Sequence, residues 1–270
     1  MSDILGVVAS GRRYPVKSMM GEEPNVIDIG EHGVVGDRAY AFVDVATGAL
    51  VSAKNPKKWP DIFFSNAQFL SLPKVGDAHP AVRITFPDGT VAQSDQSDIN
   101  QIASRIFGRE VRLETAITSK PHLEQFWPEG IDPANSDVVT QENTLVGTFF
   151  DAAPIHILTT STINQLRKLY PEGRFEARRF RPNIVVDTGT AAEFVENDWA
   201  GKTLAIGDEV RLEISSACPR CVMTTLAQGD LPKDYGILST IVQGNKGNVG
   251  IYAKVIQGGS VKRGDAVRLI

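Results

Sequence analysis

The chain is interrupted every few residues. Short runs with apolar side chains at alternate positions are broken by Gly, Asp, Asn or Pro almost from end to end. Such runs are too short, and of the wrong period, for a helical bundle; they predict strands. Residues 4–9 open the chain as one, and residues 25–29 follow, ended by His32-Gly33. Residues 39–45 alternate, turn at Thr47-Gly48 and resume at 49–51, which predicts a hairpin. Residues 81–86 and 91–93 flank Pro87-Asp88-Gly89 and predict a second. Further strands are expected at 111–116, 155–158, 183–187, 204–208, 210–214, 249–255 and 265–269. Two stretches carry helix signals: 98–107, opened by Ser97 or Asp98 and closed by Gly108, and 161–169, capped by Thr159 and Thr160. The strand spacing is that of a barrel or sandwich rather than βαβ units, so the fold class is mainly β with short helices, α+β. Between Ile117 and Pro154 the chain is rich in Pro, Gly, Asp and Asn and reads as a surface excursion at a domain junction.

With 270 residues, 42% of them hydrophobic, there is enough apolar mass for a sizeable core. Lys plus Arg (28) nearly balances Asp plus Glu (32), for a net charge of −4. A protein that grips a nucleic-acid backbone carries a basic excess, so no nucleic-acid partner is expected, while a small anionic ligand needs only a few placed cations. The first residues show no basic segment followed by an apolar one, so no signal peptide is expected. No apolar run approaches the roughly 20 residues of a membrane span, and a cytoplasmic protein with no membrane partner is expected. Both cysteines sit in one short stretch, Cys218-Pro219-Arg220-Cys221, and cannot staple distant parts of the fold. In a reducing compartment such a pair is more often catalytic, metal-binding or redox-active than structural.

That motif has several readings. A structural zinc site needs four ligands, yet His32, His79, His122 and His156 all lie far away in sequence and show no paired spacing. A thioredoxin-like pair opens a helix after a strand, whereas here both flanks, 212–214 and 222–226, look strand-like. Arg220 beside the thiols favours a thiolate. The plain alternative, two small apolar residues at a strand end, stands level with these on the motif alone.

Three other clusters are weaker. Arg178-Arg179-Phe180-Arg181-Pro182-Asn183 sets guanidiniums and an amide ahead of a strand, suited to phosphate or carboxylate; taken alone it is more simply a solvated basic edge. Tyr14-Pro15-Val16-Lys17-Ser18 and Gly36-Asp37-Arg38 place basic and hydroxyl groups in Gly/Pro-punctuated loops; Lys17 alone is most simply a surface lysine. Thr159-Thr160-Ser161-Thr162 presents hydroxyls where a helix starts, which is either an anion site or an ordinary cap.

Taken in order, these clusters resemble one family. They are similar to the MOSC proteins, named for the C-terminal domain of molybdenum cofactor sulfurase, and most to the branch with an additional N-terminal β-barrel that includes the mitochondrial amidoxime-reducing component and its bacterial relatives. The N-terminal part carries residues 14–18 and Gly36-Asp37-Arg38 leading into 39–43. The C-terminal part carries Phe180-Arg181-Pro182-Asn183 with 184–186, then Trp199, Ile206-Gly207-Asp208, residues 218–225 and the ending 261–269.

The resemblance implies two domains, an N-terminal MOSC-type β-barrel over 1–115 and a MOSC β-barrel over 116–270. It implies a pterin-based molybdenum cofactor, with Cys221 as catalytic residue and protein ligand to the metal. Phosphate and pterin contacts map onto Lys17, Ser18, Arg38, Thr159, Ser161, Arg181 and Asn183; Thr159 stands where the family has serine. A looser cofactor label, pyridoxal phosphate binding, comes with the same resemblance. The implied activity is reduction of N-hydroxylated small molecules. Some relatives continue into an iron–sulfur domain; this chain holds no spare cysteines for a cluster, so a separate electron donor of ferredoxin or cytochrome type is expected. Two alternatives stand beside this reading: a sulfur carrier or cofactor-binding module using a persulfide on Cys221, and a barrel with no cofactor. Cys218 is expected to pack or support rather than catalyse.

Overall fold

Alternation does produce strands. The computed structural model describes residues 4–115, 122–127, 138–143 and 149–270. In chain order the elements are β1 (Ile4–Gly11), β2 (Val26–Gly30), β3 (Gly33–Val34), β4 (Ala41–Asp44), β5 (Asn66–Phe69), β6 (Val82–Thr85), β7 (Val91–Gln93), α1 (Ile99–Phe107), β8 (Val111–Glu114), β9 (His122–Trp127) and β10 (Val138–Asn143). They continue with β11 (Ile155–Thr159), α2 (Thr160–Leu169), α3 (Ala177–Phe180), β12 (Ile184–Asp187), β13 (Thr203–Ile206), β14 (Val210–Pro219), α4 (Gly236–Asn245), β15 (Asn248–Gln257), β16 (Gly259–Lys262) and β17 (Ala266–Leu269). The chain is mainly β with short helices, as its patterning predicts. Among the described residues no helix is long and apolar enough to cross a membrane.

The chain divides into two compact units, and the division is not linear. One unit comprises residues 1–13, 23–35 and 153–270; the other comprises 14–22 and 36–152. The expected split at 115/116 is thus replaced by an interleaved one. The reason is closure. A barrel has no free edge, and β1 fills the gap between β12 and β17, pairing antiparallel with both. Nearby, β2 pairs with β16 and β3.

The first unit is built on a closed seven-stranded barrel in the order β1-β12-β11-β15-β14-β13-β17. Period-two patterning sets its core: along β14, Val210, Leu212 and Ile214 are buried while Glu213 faces out. Each fully buried Val, Leu or Ile contributes about 1.5–3 kcal/mol relative to exposure. The ten-residue strands β14 and β15 run antiparallel with three register shifts, the last between Ala217 and Pro219. β11 and β12 are parallel, joined through α2 and α3, so one crossover sits in a barrel whose spacing predicted none. Outside the barrel, α2 and α4 bury Ile163, Leu166, Ile237 and Ile241 against Phe175 and Phe180. Those two rings stack at 6.5 Å with 14° between planes.

In the second unit β5-β6-β7 form one sheet, β4 pairs with β8, and β9 pairs with β10. The hairpin at 81–93 forms as expected. The one expected at 39–51 shortens to a single bridge, Val43 to Leu50, flanked by backbone bonds from Asp44 to Ala49 and from Val51 to Phe42, while β4 pairs along its length with β8. α1 ends at Gly108, whose φ of 65° a glycine adopts without strain. The β9–β10 pair lies inside the stretch 117–154 that reads as a surface excursion with few clear elements; residues 116–121, 128–137 and 144–148 of that stretch and its flank are outside the described residues.

Candidate functional site

In the first unit the two cysteines differ sharply. Cys218 lies near the end of β14 and is fully buried, whereas Cys221 is half-buried where the chain leaves the strand. Residues 222–225 form a 3₁₀ turn, not the expected strand. Hydroxyls explain the change: Thr224 Oγ1 donates to the Cys221 carbonyl at 3.0 Å and Thr225 Oγ1 to the Val222 carbonyl at 2.8 Å, so the side chains satisfy carbonyls that a ladder otherwise takes.

Arg220 connects this corner to the rest of the unit. Its Nη1 donates to Cys218 Sγ at 2.8 Å, its Nη2 to the Phe180 carbonyl at 2.8 Å, and its backbone N–H to the Gly247 carbonyl. Its Nε is buried without a hydrogen-bond partner among the described residues. Burial pushes the Cys218 thiol up, but the charges of Arg220 and His156 and hydrogen bonds from His156 and Tyr252 more than reverse this, lowering it to about 6. His156 stands on β11 with Nε2 3.1 Å from the Val249 carbonyl, so that nitrogen carries the proton there. Gly250, at φ 77°, makes room for it; a Cβ there would lie 2.4 Å from His156 Nε2.

The arginine run divides three ways. Arg178 pairs with Glu176 and Asp230 at the surface. Arg179, 1% exposed, donates to the carbonyls of Arg174, Thr224, Leu226 and Pro232. It therefore holds the segment that follows Cys221. Arg181 caps α3 with φ 55° and is nearly buried. Asn183 is committed to backbone: its Oδ1 accepts from the His156 N–H at 3.0 Å and its Nδ2 donates to the Arg12 carbonyl at 3.4 Å.

The hydroxyl cluster is mostly a cap. Thr159 Oγ1 accepts from the Thr162 N–H at 3.1 Å and donates to Glu196 Oε2 at 2.6 Å. Ser161 Oγ shares a hydrogen bond with Thr188 Oγ1 at 2.7 Å. Glu196 is buried, accepts a second bond from Thr162, and burial raises its carboxyl above the ordinary range.

Lys17, Ser18 and Arg38 belong to the second unit. Lys17 is no surface lysine: it is 4% exposed, its Nζ donates to the Phe149 carbonyl at 2.7 Å, and it pairs with the Asp151 carboxylate. Burial lowers its ammonium, partly offset by Asp151. Lys54 Nζ lies 3.9 Å from the other Asp151 oxygen. Arg38 pairs with Asp37 and lies 4.6 Å from the Tyr14 ring centre. Ser18 Oγ accepts from the Ala53 N–H at 3.1 Å.

Backbone strain marks the same residues. Among the described residues four non-glycines have positive φ: Ser18 (63°), Arg38 (49°), Arg181 (55°) and Lys246 (52°). Three of the four are in the sequence-derived set. A bulky residue held in this region costs on the order of 1 kcal/mol or more and persists where surrounding structure demands it, often at functional sites. Sequence reasoning missed Tyr252 in the first unit and Lys54 and Asp151 in the second, and it weighed Arg179 only within a basic run and His156 only as a zinc ligand. Among the described residues no cluster of His, Cys, Asp and Glu is arranged to hold a metal by itself.

A family profile described as the MOSC domain matches residues 144–268. The chain is 27% identical over 232 residues to mitochondrial amidoxime reducing component 2 of Rattus norvegicus, covering 82% of this chain and 67% of that protein. It is 41% identical over 76 residues to the Bos taurus protein of the same name, covering 28% and 21% respectively. Among solved structures, the YuaD protein of Bacillus subtilis aligns with a TM-score of 0.46 at 13% identity, covering 99% of this chain and 94% of that one. YiiM of Geobacillus stearothermophilus aligns with a TM-score of 0.34 at 15% identity, covering 57% and 75%. The matched residues supply β11 to β15 and most of β17, every barrel strand but β1, so residues 144–268 carry a MOSC domain.

Proposed function

We propose that this chain binds a pterin-based molybdenum cofactor through Cys221 and reduces N-hydroxylated small molecules, taking electrons from a separate donor protein. The observation that carries the reading is the inequality of the two thiols. Cys218 is sealed and engaged by Arg220, while Cys221 is half-buried beside the same guanidinium. A thiolate next to a fixed cation suits a soft, thiophilic metal. In the first unit Arg181, buried on strained backbone, and in the second unit Lys17 and Arg38, held largely out of solvent, are each cations whose chemistry suits an anionic group.

The cofactor supplies two-electron redox chemistry when bound. The chain's own residues divide the remaining work. Cys221 provides the sulfur ligand, and Arg220 holds positive charge beside it. Arg179 fixes the 222–232 segment. Asn183 and Thr159 act through the backbone they tie down, and Ser161 through the Thr188 hydroxyl, since their side chains already have protein partners. The relatives' names motivate the substrate class.

To test this, the chain is purified from a cofactor-competent host and assayed for molybdenum and for reduction of an amidoxime with an artificial donor. Wild type and Cys218→Ser are expected to carry metal, and Cys221→Ser none. Metal-free wild type indistinguishable from Cys221→Ser overturns the proposal. The accessible Cys221 also supports a second reading, a persulfide carrier. Intact-mass measurement after exposure to a sulfur donor separates the two: one added sulfur atom on Cys221, without N-hydroxyl reduction, favours the carrier.

A further inference from the structure

A dithiol pair conflicts with strands on both sides of the Cys-x-x-Cys motif, and the structure has a strand on one side only. Cys218 lies near the end of β14, and Cys221 immediately precedes the 3₁₀ turn of residues 222–225. The sheet lets go between them. Pro219, paired with Asn248, is the last residue of β14, and Cys221 belongs to no strand. The strand end thus fixes the first thiol and leaves the second outside the ladder, which is the order of elements that a reactive pair of this spacing uses.

One guanidinium serves both sulfurs. Arg220 Nη1 donates to Cys218 Sγ at 2.8 Å, and the charge of Cys221 acts on the same group. A sulfur that accepts from a guanidinium at that distance is held as a nucleophilic thiolate. His156 of β11 and Tyr252 of β15 hydrogen-bond the same sulfur. Arg220 also keeps a buried Nε without a hydrogen-bond partner among the described residues, so one donor remains for an incoming group. Access to the two thiols is unequal. Cys218 is fully buried, Cys221 is half-buried, and the two are not bridged. An oxidant arriving from solvent therefore meets Cys221 first, while the nucleophile that can answer it is sealed three residues away.

We propose that Cys218 and Cys221 form a peroxide-responsive dithiol, in which Cys221 takes the oxidant and Cys218 resolves it as an intramolecular disulfide. The Cys221 thiolate attacks hydrogen peroxide and breaks its O–O bond. Sulfur is oxidised to a sulfenic acid, and the other oxygen leaves as hydroxide. The Cys218 thiolate then attacks the Cys221 sulfur. An S–S bond forms, the S–O bond breaks, and the oxygen leaves as a second hydroxide, for which Arg220 Nε has a donor to spare. Two electrons pass from the dithiol to the peroxide, and a small thiol returns them by exchange. Formation of the bridge needs no cofactor and rests on the first unit's geometry alone. Its consequence rests on the function proposed above: a bridged Cys221 has no thiolate to offer a metal, so the disulfide gates cofactor loading.

The test treats the full chain, expressed without cofactor, with a single equivalent of hydrogen peroxide and follows it by mass spectrometry without reduction. Wild type is expected to lose two hydrogens, and trypsin, which cuts after Arg220, is expected to leave the peptides bearing Cys218 and Cys221 joined until dithiothreitol is added. Cys218→Ser is expected to stop at a sulfenic acid on Cys221, captured by dimedone. Cys221→Ser is expected to leave Cys218 unmodified. Arg220→Met is expected to slow bridging on the order of tenfold, read by intact mass. Arg220→Lys, which keeps the charge without the fork, replaces it where it does not fold and is expected to slow bridging less. Wild type that ends with an oxidised Cys221 beside an unmodified Cys218, or that bridges no faster than the urea-unfolded chain, overturns the proposal. A chain that bridges but never acquires molybdenum in a cofactor-competent host keeps this inference and drops the cofactor reading. A chain that loads molybdenum through Cys221 yet does not bridge when metal-free does the reverse.

Discussion

Arg220 ties the Cys218 sulfur to the Phe180 carbonyl, with 2.8 Å on either side of one guanidinium. That bridge joins the end of β14 to the end of α3, so the turn bearing Arg181 and the corner bearing Cys221 share a rivet. The first cysteine of the motif is thus tied to the guanidinium that also acts on the second.

The depressed Cys218 thiol makes stability depend on pH. Its folded value, about 6, lies below the ordinary 9.0, so its contribution is complete above pH 9 and is lost as pH falls toward 6. In molybdenum-free protein, urea denaturation at several pH values should show wild type gaining on Cys218→Ala between pH 6 and 9, with a slope of up to about 1.4 kcal/mol per pH unit. A constant difference across that range would show that Cys218 stays a thiol.

Arg179 predicts a large loss. Arg179→Met removes bonds to four carbonyls at 3.1–3.2 Å and leaves buried acceptors bare, a cost of about 3–5 kcal/mol. Because two of those carbonyls, of Thr224 and Leu226, follow Cys221 closely, alkylation of Cys221 should also accelerate under native conditions. Denaturation and timed thiol labelling measure both effects; an unchanged labelling rate would restrict Arg179 to global stability.

Asn183 separates positioning from ligand contact. Asn183→Leu strands the His156 N–H and the Arg12 carbonyl and should cost about 1–3 kcal/mol. Asn183→Asp keeps the acceptor for His156 and should lose less. Equal losses in the two variants, read by thermal unfolding, would contradict the role of the Oδ1 contact.

Glu196 has the opposite sign to Cys218. Burial raises its folded value above the ordinary 4.5, with partial relief from Thr159 and Thr162, so its protonated form favours folding and the advantage disappears as pH rises. Glu196→Gln has no proton to lose. The stability difference should move in favour of Glu196→Gln from pH 4 to pH 8, and a flat difference would show that Glu196 titrates normally.

Legibility of the sequence followed the range of the interactions. The cap at Thr159, the helix closed by Gly108 and the hairpin around Pro87-Asp88-Gly89 are local events that neighbouring residues determine. Residues 222–225 were misread because β-branched Val and Thr resemble a strand, and only the hydroxyl bonds to nearby carbonyls reveal the turn. α4 escaped notice because glycines and β-branched residues weaken its local signal, while Ile237 and Ile241 are held by packing with residues far away in sequence. His156 reaches Cys218 because β11 and β14 flank β15 in the barrel, a neighbourhood that no spacing expresses. Lys54 and Asp151 went unseen for the same reason. Chemically the motif residues were visible; their strained backbones and their division of labour were not.

Closing the barrel through β1 has a consequence for synthesis. Val7 is synthesised long before its partner Ala266. Until then β1 and β13 each expose the edge that β17 fills, and Val8 has no finished interior to enter. Such late, long-range pairing slows folding and lengthens exposure to aggregation. The seam beside β1 therefore closes only once β17 has been made, and it ties the maturation of the first unit's barrel to that late strand.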